Sequence, residues 1–231
     1  MNRFFSKSQK GFTLLELLIV IAIIAILSVI LILVLDPAET LKKSRDAQRI
    51  SDLATVKTAL GIYTTTTSTP FLAGASTSTG CKSGSASGTY LAASKIWYSI
   101  DSGSKITSAA ALDGGLAGTT PTSSQVVAAS VPLTDGTGWI PVNLSGLIGG
   151  SPISGWPIDP VNTVASLAQP VNTDLVYRYT CNLTTTKYEV DAALESNTYT
   201  VADNKELKDG GNNSSTYEVG TDLTLLGIGN F

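Results

Sequence analysis

The hydrophobic pattern of the chain is dominated by one apolar run over residues 12–35. Only three of these 24 positions are polar, namely Thr13, Glu16 and Ser28. About 20 mostly apolar residues are enough for a helix to cross the hydrocarbon core of a bilayer. A helix also satisfies all of its backbone groups without water. The run therefore predicts a transmembrane helix with a single carboxylate near its start.

A second helical pattern follows at residues 36–66, and this one is amphipathic. Asp36-Pro37-Ala38-Glu39 is typical of a helix start, because the aspartate can cap the first turn and the proline fits it. Proline cannot donate a backbone hydrogen bond, so we expect a helix kink at Asp36 and Pro37. Apolar positions then recur every three or four residues, which predicts one buried face. These positions are Ile50, Leu53, Val56, Leu60 and Tyr63.

The composition changes after Thr66, because residues 64–170 contain only seven charged side chains in 107 positions. A stretch with so little hydrophobicity is compatible with disorder. Short apolar runs at residues 96–100, 126–133 and 139–142 favour instead a folded head with long loops.

The last third of the chain reads as short strands. Residues 174–181 and 186–194 predict a β-hairpin, because valine and tyrosine recur on both sides of a polar turn. Further short strands are predicted at residues 198–201, 216–219 and 223–228.

These patterns together predict an α+β fold. A long N-terminal helix, with a transmembrane half and an amphipathic half, is expected to pack its second half against a loop-rich antiparallel β head. The expected segments are a leader at residues 1–11, a transmembrane helix at 12–35, the amphipathic half at 36–66 and a head at 67–231.

The composition also restricts the chemistry that the chain can perform. The chain has no histidine, which removes Ser-His-Asp and Cys-His catalysis. No glycine-rich phosphate loop follows a predicted strand, and no cluster of residues has the spacing of a metal site. We therefore expect no enzyme, no catalytic residue, no cofactor and no metal.

The leader is short and basic, with Arg3, Lys7 and Lys10 and no acidic residue. Positive charges favour keeping this end in the cytoplasm, which places the C-terminus outside. A secretory signal peptide has a shorter apolar region that ends in small residues around its cleavage site. The longer run here predicts a retained anchor.

The sequence Lys10-Gly11-Phe12-Thr13-Leu14-Leu15-Glu16 resembles the processing site of type IV pilin precursors, the class III signal of pilins and pseudopilins. The resemblance implies that a membrane prepilin peptidase cuts between Gly11 and Phe12 and methylates the new amine of Phe12. It also implies that Glu16 meets the N-terminal amine of a neighbouring subunit during assembly. The alternative for Glu16 is a position near the helix end from which it reaches the lipid headgroups.

The resemblance also implies that the head lies outside the cytoplasm, where conditions are oxidising. Cys81 and Cys181 are therefore expected to form a disulfide, and two free thiols are the alternative. The element Pro157-Ile158-Asp159-Pro160 is similar to a loop of major pseudopilin heads that leads into a calcium-binding loop. Val161-Asn162 departs from that pattern, so we expect Asp159 to cap its own backbone instead.

One basic cluster lies on the amphipathic helix. Nucleic-acid binding favours a domain of net positive charge, whereas the chain without its leader has 12 basic and 18 acidic side chains. Nucleic acid is thus a weakly supported partner, and we expect the cluster to lie near lipid headgroups or to pair with neighbouring stems. The cluster consists of Lys42, Lys43, Arg45 and Arg49.

The resemblance implies a major pilin that polymerises through its N-terminal helix into a type IV pilus. It would be a single-pass protein of the cytoplasmic membrane before assembly and part of an extracellular fibre afterwards. Its expected partners are other copies of itself, prepilin peptidase, the assembly platform with its ATPase, and lipid. The alternatives are a major pseudopilin of a type II secretion system, a minor pilin, and a membrane-anchored binding module that does not polymerise. Adhesion, motility, DNA uptake and secretion are all compatible with the sequence.

Overall fold

The chain divides into two compact units, Met1–Leu41 and Lys42–Phe231, which are described separately. Most of the leader, part of the loop before the first strand and the end of the last predicted strand lie outside the described residues. The computed structural model describes residues 11–74, 76–82, 94–103, 122–166, 170–171 and 173–226.

The first unit contains helix α1, Leu14–Leu35. Its described side chains are all exposed, including every apolar one. The stretch Leu14–Ile32 is long and apolar enough to cross a membrane by length and composition. Because apolar surface is unfavourable in water, at about 25 cal/mol per Å², α1 needs lipid or protein around it.

The helical backbone is interrupted at Asp36, whose φ of 35° and ψ of 76° lie in the left-handed region. Aspartate tolerates this conformation better than most residues because its short side chain bonds locally. Asp36 Oδ1 accepts a hydrogen bond from Glu39 N at 3.3 Å. Helix α2 begins at the next residue and spans Pro37–Thr66. One residue thus ends α1 and caps the first turn of α2.

The second unit is built on a five-stranded sheet with the order β2-β1-β3-β4-β5. The pairs β1–β3, β3–β4 and β4–β5 are antiparallel, whereas the edge strand β2 pairs in parallel with β1. The predicted hairpin is confirmed as β3 and β4, and the strand predicted at 216–219 corresponds to β5. The strands are Lys95–Tyr98 (β1), Thr122–Ser124 (β2), Tyr177–Cys181 (β3), Tyr188–Ala192 (β4) and Tyr217–Gly220 (β5).

Two of the predicted strands are wrong. The residues Thr198–Ala202 form a π-helical turn, and the described residues at 223–226 form turns outside the sheet. Asp46 accepts hydrogen bonds from the backbone of Glu195 and Ser196, which fixes the chain just before the π-helical turn. Interactions with side chains far away in sequence thus override the β preference of these short runs.

The face of the sheet that packs on α2 forms the main core. The apolar stripe predicted on α2 is confirmed, since Leu53, Val56 and Leu60 are fully buried. Tyrosines on the sheet pack their rings in the core and bond their hydroxyls at its border. Tyr177 donates to Asp52 Oδ2, and Tyr188 donates to the carbonyl of Lys57, both at 2.9 Å.

The opposite face of the sheet is also buried. It carries a smaller apolar cluster of Ile96, Tyr98, Ile100, Val176 and Leu226. Beside this cluster the same face bears buried charged side chains from β3, β4 and β5.

Cys81 and Cys181 form a disulfide across a sequence separation of 100 residues, with Cα atoms 4.7 Å apart. Both cysteines are fully buried. The adjacent backbone is also paired, because Lys82 N donates to the carbonyl of Cys181 at 2.6 Å. The bridge therefore ties the segment before β1 to the end of β3.

Replacing both cysteines by alanine should lower the free energy of unfolding of the head by about 4 kcal/mol, because the bridge closes a loop of about 100 residues. Urea unfolding of the full chain in detergent micelles, followed by tryptophan fluorescence, measures this loss. The wild type treated with reductant should match the double variant. A loss below about 1 kcal/mol would contradict the stabilising role.

Candidate functional site

The first turn of α1 holds the carboxylate of Glu16 in place. Thr13 caps the helix, and its Oγ1 accepts a hydrogen bond from Glu16 N at 3.2 Å. Glu16 Oε2 accepts in return from Thr13 N at 2.9 Å and from Thr13 Oγ1 at 2.8 Å. This reciprocal arrangement is a capping box. It turns the carboxylate back towards the residues that precede the helix.

The Gly11–Phe12 bond lies directly before this cap, and the described residues leave it exposed. Phe12 is 88% exposed, and a Cβ built on Gly11 would meet no atom within 4 Å. Glu16 uses only Oε2 for its bonds to Thr13, so Oε1 accepts no hydrogen bond from the residues that the structure describes. The carboxylate can therefore accept one more donor.

Sequence reasoning misses Thr13 as part of this site. Its signal is nevertheless present, because threonine followed three residues later by glutamate, before an apolar run, is the signature of a capping box. The same rule identifies Asp36 and Glu39 at the start of α2.

Residues 6–32 match the family described as the prokaryotic N-terminal methylation motif. The matched stretch contains Gly11, Phe12 and Glu16 together with most of α1. The chain carries the class III signal of type IV pilins and pseudopilins. Comparisons of the chain with curated proteins and with solved structures gave no match.

This signal supports a type IV pilin-like or pseudopilin protein, which is a structural and generally non-enzymatic class. It implies processing by a prepilin peptidase. The exposed apolar helix α1 fits anchoring of such a precursor in a membrane before assembly.

The basic cluster on α2 contains a buried cation, Arg49, with several carboxylate partners. Arg49 is fully buried and donates from Nε and Nη2 to both oxygens of Asp159, at 2.6 and 3.0 Å. Its Nη1 donates to Asp46 at 2.8 Å and to Glu195 at 2.6 Å. A buried guanidinium with three carboxylate partners links α2 to two separate loops.

Arg45 strengthens the same cluster through a bidentate pair with Glu195, with both contacts at 2.8 Å. Hydrogen bonds from Arg45, together with those from Arg49, lower the pKa of Glu195 to about 2. The expectation that the basic cluster faces lipid or neighbouring stems is therefore wrong for Arg45 and Arg49. The charges of Arg45 and Arg49 are matched by carboxylates of the same chain.

Asp159 caps its own backbone as expected, with Oδ1 accepting from Val161 N at 2.8 Å and Asn162 N at 3.1 Å. Its ion pair with Arg49 could not be read from the sequence. Because both oxygens already face donors, this carboxylate is unsuited to a cation. In the described part of the chain no group of three or more candidate ligands is arranged for a metal ion.

Replacing Arg49 by methionine should destabilise the head by about 3–5 kcal/mol, because it leaves buried carboxylates without a partner. Urea unfolding of the full chain in detergent measures this difference. Arg45→Met is the matched control, since the Arg45 side chain is 31% exposed and an exposed pair contributes about 1 kcal/mol or less. Equal losses of unfolding free energy in the two variants would show that burial does not determine the contribution of Arg49 to stability.

Proposed function

We propose that the mature protein begins at Phe12 and is the major structural subunit of a type IV pilus, assembled through α1. The observation that carries this proposal is the methylation motif at residues 6–32, which includes most of an apolar helix whose described side chains are all exposed. The Gly11–Phe12 bond is the proposed cleavage site, and the amine of Phe12 is the proposed site of methylation.

In this proposal the precursor crosses the cytoplasmic membrane once, with its basic leader inside and its head outside. The positive charges of the leader support this orientation, and so does a disulfide in the head, since disulfides persist in oxidising compartments. Removal of the leader leaves the amine of Phe12 at the start of an apolar helix. Prepilin peptidase, an assembly platform and its ATPase are the proposed partners.

Assembly then replaces lipid around α1 by the α1 helices of other copies. Burying its apolar side chains against one another keeps them from water, at about 25 cal/mol per Å². Glu16 and the amine of Phe12 are the charges that would be costly in such a core. An ion pair between Glu16 of one copy and the amine of another lowers that cost and sets the register between the two copies.

Mass spectrometry of the N-terminal peptide, on material sheared from cells and on their membranes, tests this function. We expect a peptide that begins with methylated Phe12 and is abundant in the sheared fraction. The same peptide confined to membranes would identify a pseudopilin or a minor subunit. An intact leader in both fractions would leave an anchored module that does not polymerise. Gly11→Val is the control and should retain the leader, because its branched side chain obstructs the cleavage position.

Glu16→Ala should still be cut after Gly11 but should give few fibres, because the amine of Phe12 then has no carboxylate to meet. Electron microscopy together with the yield of sheared protein measures the loss. The matched control is Ser28→Ala, because Ser28 is also polar on α1 but bonds only its own helix, at the carbonyl of Ile24. Normal piliation by the Glu16 variant would rule out the register role.

A further inference from the structure

The face of the sheet opposite α2 contains a buried patch of charged side chains. The strand register places Arg178 of β3, Asp191 of β4 and Glu218 of β5 side by side on this face. Glu189 lies two residues before Asp191 and therefore on the same face. Each of these four side chains belongs to a residue at most 2% exposed. Burying a charged group costs free energy unless the group has a partner, so each of these side chains needs one.

Two of the four residues form an ion pair, because Arg178 Nε donates to Asp191 Oδ1 at 2.7 Å. The other two are both acids. Glu189 Oε2 accepts from Leu225 N at 2.6 Å and from Leu226 N at 2.7 Å. Glu218 Oε2 accepts from Asn213 N at 3.0 Å.

The second oxygen of each glutamate receives no donor from the described residues. Oε1 of Glu189 and Oε1 of Glu218 are both buried without a donor, yet the two carboxyl groups are close enough to bond to each other. Two carboxyl groups in contact cannot both be ionised without strong repulsion. A single proton held between them gives each Oε1 a hydrogen bond.

We propose that Glu189 and Glu218 share one proton and act as a pH-sensitive latch, which holds residues 225–226 and the 211–213 loop against the sheet. When the proton is lost, the two negative charges repel each other. Glu189 then turns away from the amides of Leu225 and Leu226, and Leu226 leaves the small apolar cluster. We use "latch" below for the Glu189–Glu218 pair.

Close packing around the latch makes it sensitive to such a change. A Cβ built on Gly211 would collide with the Glu218 carboxylate, so the 211–213 loop follows the position of that side chain. The carbonyl of Leu225 accepts from Lys82 Nζ at 3.0 Å, which gives the same segment a second side-chain partner. Residues 225–226 are therefore held by a lysine and by a glutamate from two different elements.

Burial and the neighbouring carboxylates favour the protonated form of the latch. Burial is the main cause that raises the pKa of both Glu189 and Glu218, and nearby carboxylates add to it. For Glu218 the pKa is raised to about 7. The charged and titratable groups that face the latch or the segment it holds are Asp191 on β4, Arg178 on β3, Asp209 before β5, Lys82 before β1, and Tyr98 on β1, which packs with Leu226.

The sign of the pH effect follows from a pKa that is higher in the folded state than in the unfolded one. Stability from the latch is then fully present below the ordinary glutamate pKa of 4.5 and is lost as the pH rises through the raised pKa at which the pair gives up its shared proton. Where one proton is released on opening, the opening equilibrium changes by about tenfold per pH unit.

Hydrogen exchange of the full chain in detergent micelles, between about pH 5 and pH 9 and corrected for the intrinsic rate, tests the latch. We expect the protection of Leu225 and Leu226 to fall by about tenfold per pH unit as the pair ionises. In Glu189→Gln the amide can donate to Glu218 Oε1 while its carbonyl accepts from Leu225 and Leu226. Protection in this variant should therefore be independent of pH.

Glu206→Gln is the matched control, because burial also raises the pKa of Glu206 to about 7 but its carboxylate bonds the backbone of Leu194. This variant should keep the wild-type pH dependence at residues 225–226. If Glu189→Gln does not fold, Glu218→Gln replaces the same shared proton by an amide hydrogen and should give the same flat profile. Infrared spectra should also show a protonated carboxyl group at neutral pH that either latch variant loses.

Three results would overturn the proposal. The first is wild-type protection that does not change with pH, and the second is a decline that persists in both latch variants. The third is a decline abolished by Glu206→Gln, which would assign the proton to a different carboxyl group.

Discussion

Helix α1 exposes its described apolar side chains over 22 residues, and this apolar surface restricts the environments in which the protein is stable. Such a surface is stable only in lipid or among other apolar helices. A single carboxylate at the start of the helix adds a second requirement, because a charge in an apolar environment needs a partner. Thr13 is one such partner, because it donates hydrogen bonds to this carboxylate in the capping box. In the proposed pilus, the amine of a neighbouring copy supplies the rest.

The head is stabilised differently from α1, because its sequence is poor in charge and rich in small polar residues. Several of its charged side chains are nevertheless buried, and some of these join distant segments. Arg49 links α2 to the loops at Asp159 and Glu195. On the opposite face of the sheet, Glu189 binds the backbone of residues 225–226. Together with the disulfide, these contacts fix long loops that contribute little apolar surface of their own.

Some of this architecture could be predicted because it depends on local patterns. The apolar stripe of α2 follows from a spacing of three and four residues, and the β3–β4 hairpin from two runs of strand-forming residues around a turn. The strands predicted at residues 198–201 and 223–228 are wrong because contacts with residues distant in sequence determine the structure there. Their composition favours extended structure, but Asp46 bonds the backbone just before the first run and Glu189 bonds that of the second.

The sequence by itself determined the membrane-spanning helix, the Gly11–Phe12 junction and the carboxylate of Glu16, since each is encoded within a few neighbouring residues. Only the tertiary structure decided where the charged side chains of the head lie. Arg49 meets Asp159 across 110 residues of chain, and Arg45 meets Glu195 across 150. No periodicity or motif records such pairs. They form only when folding brings the partners together, and burial of the Arg49–Asp159 pair makes an unpaired charge there costly.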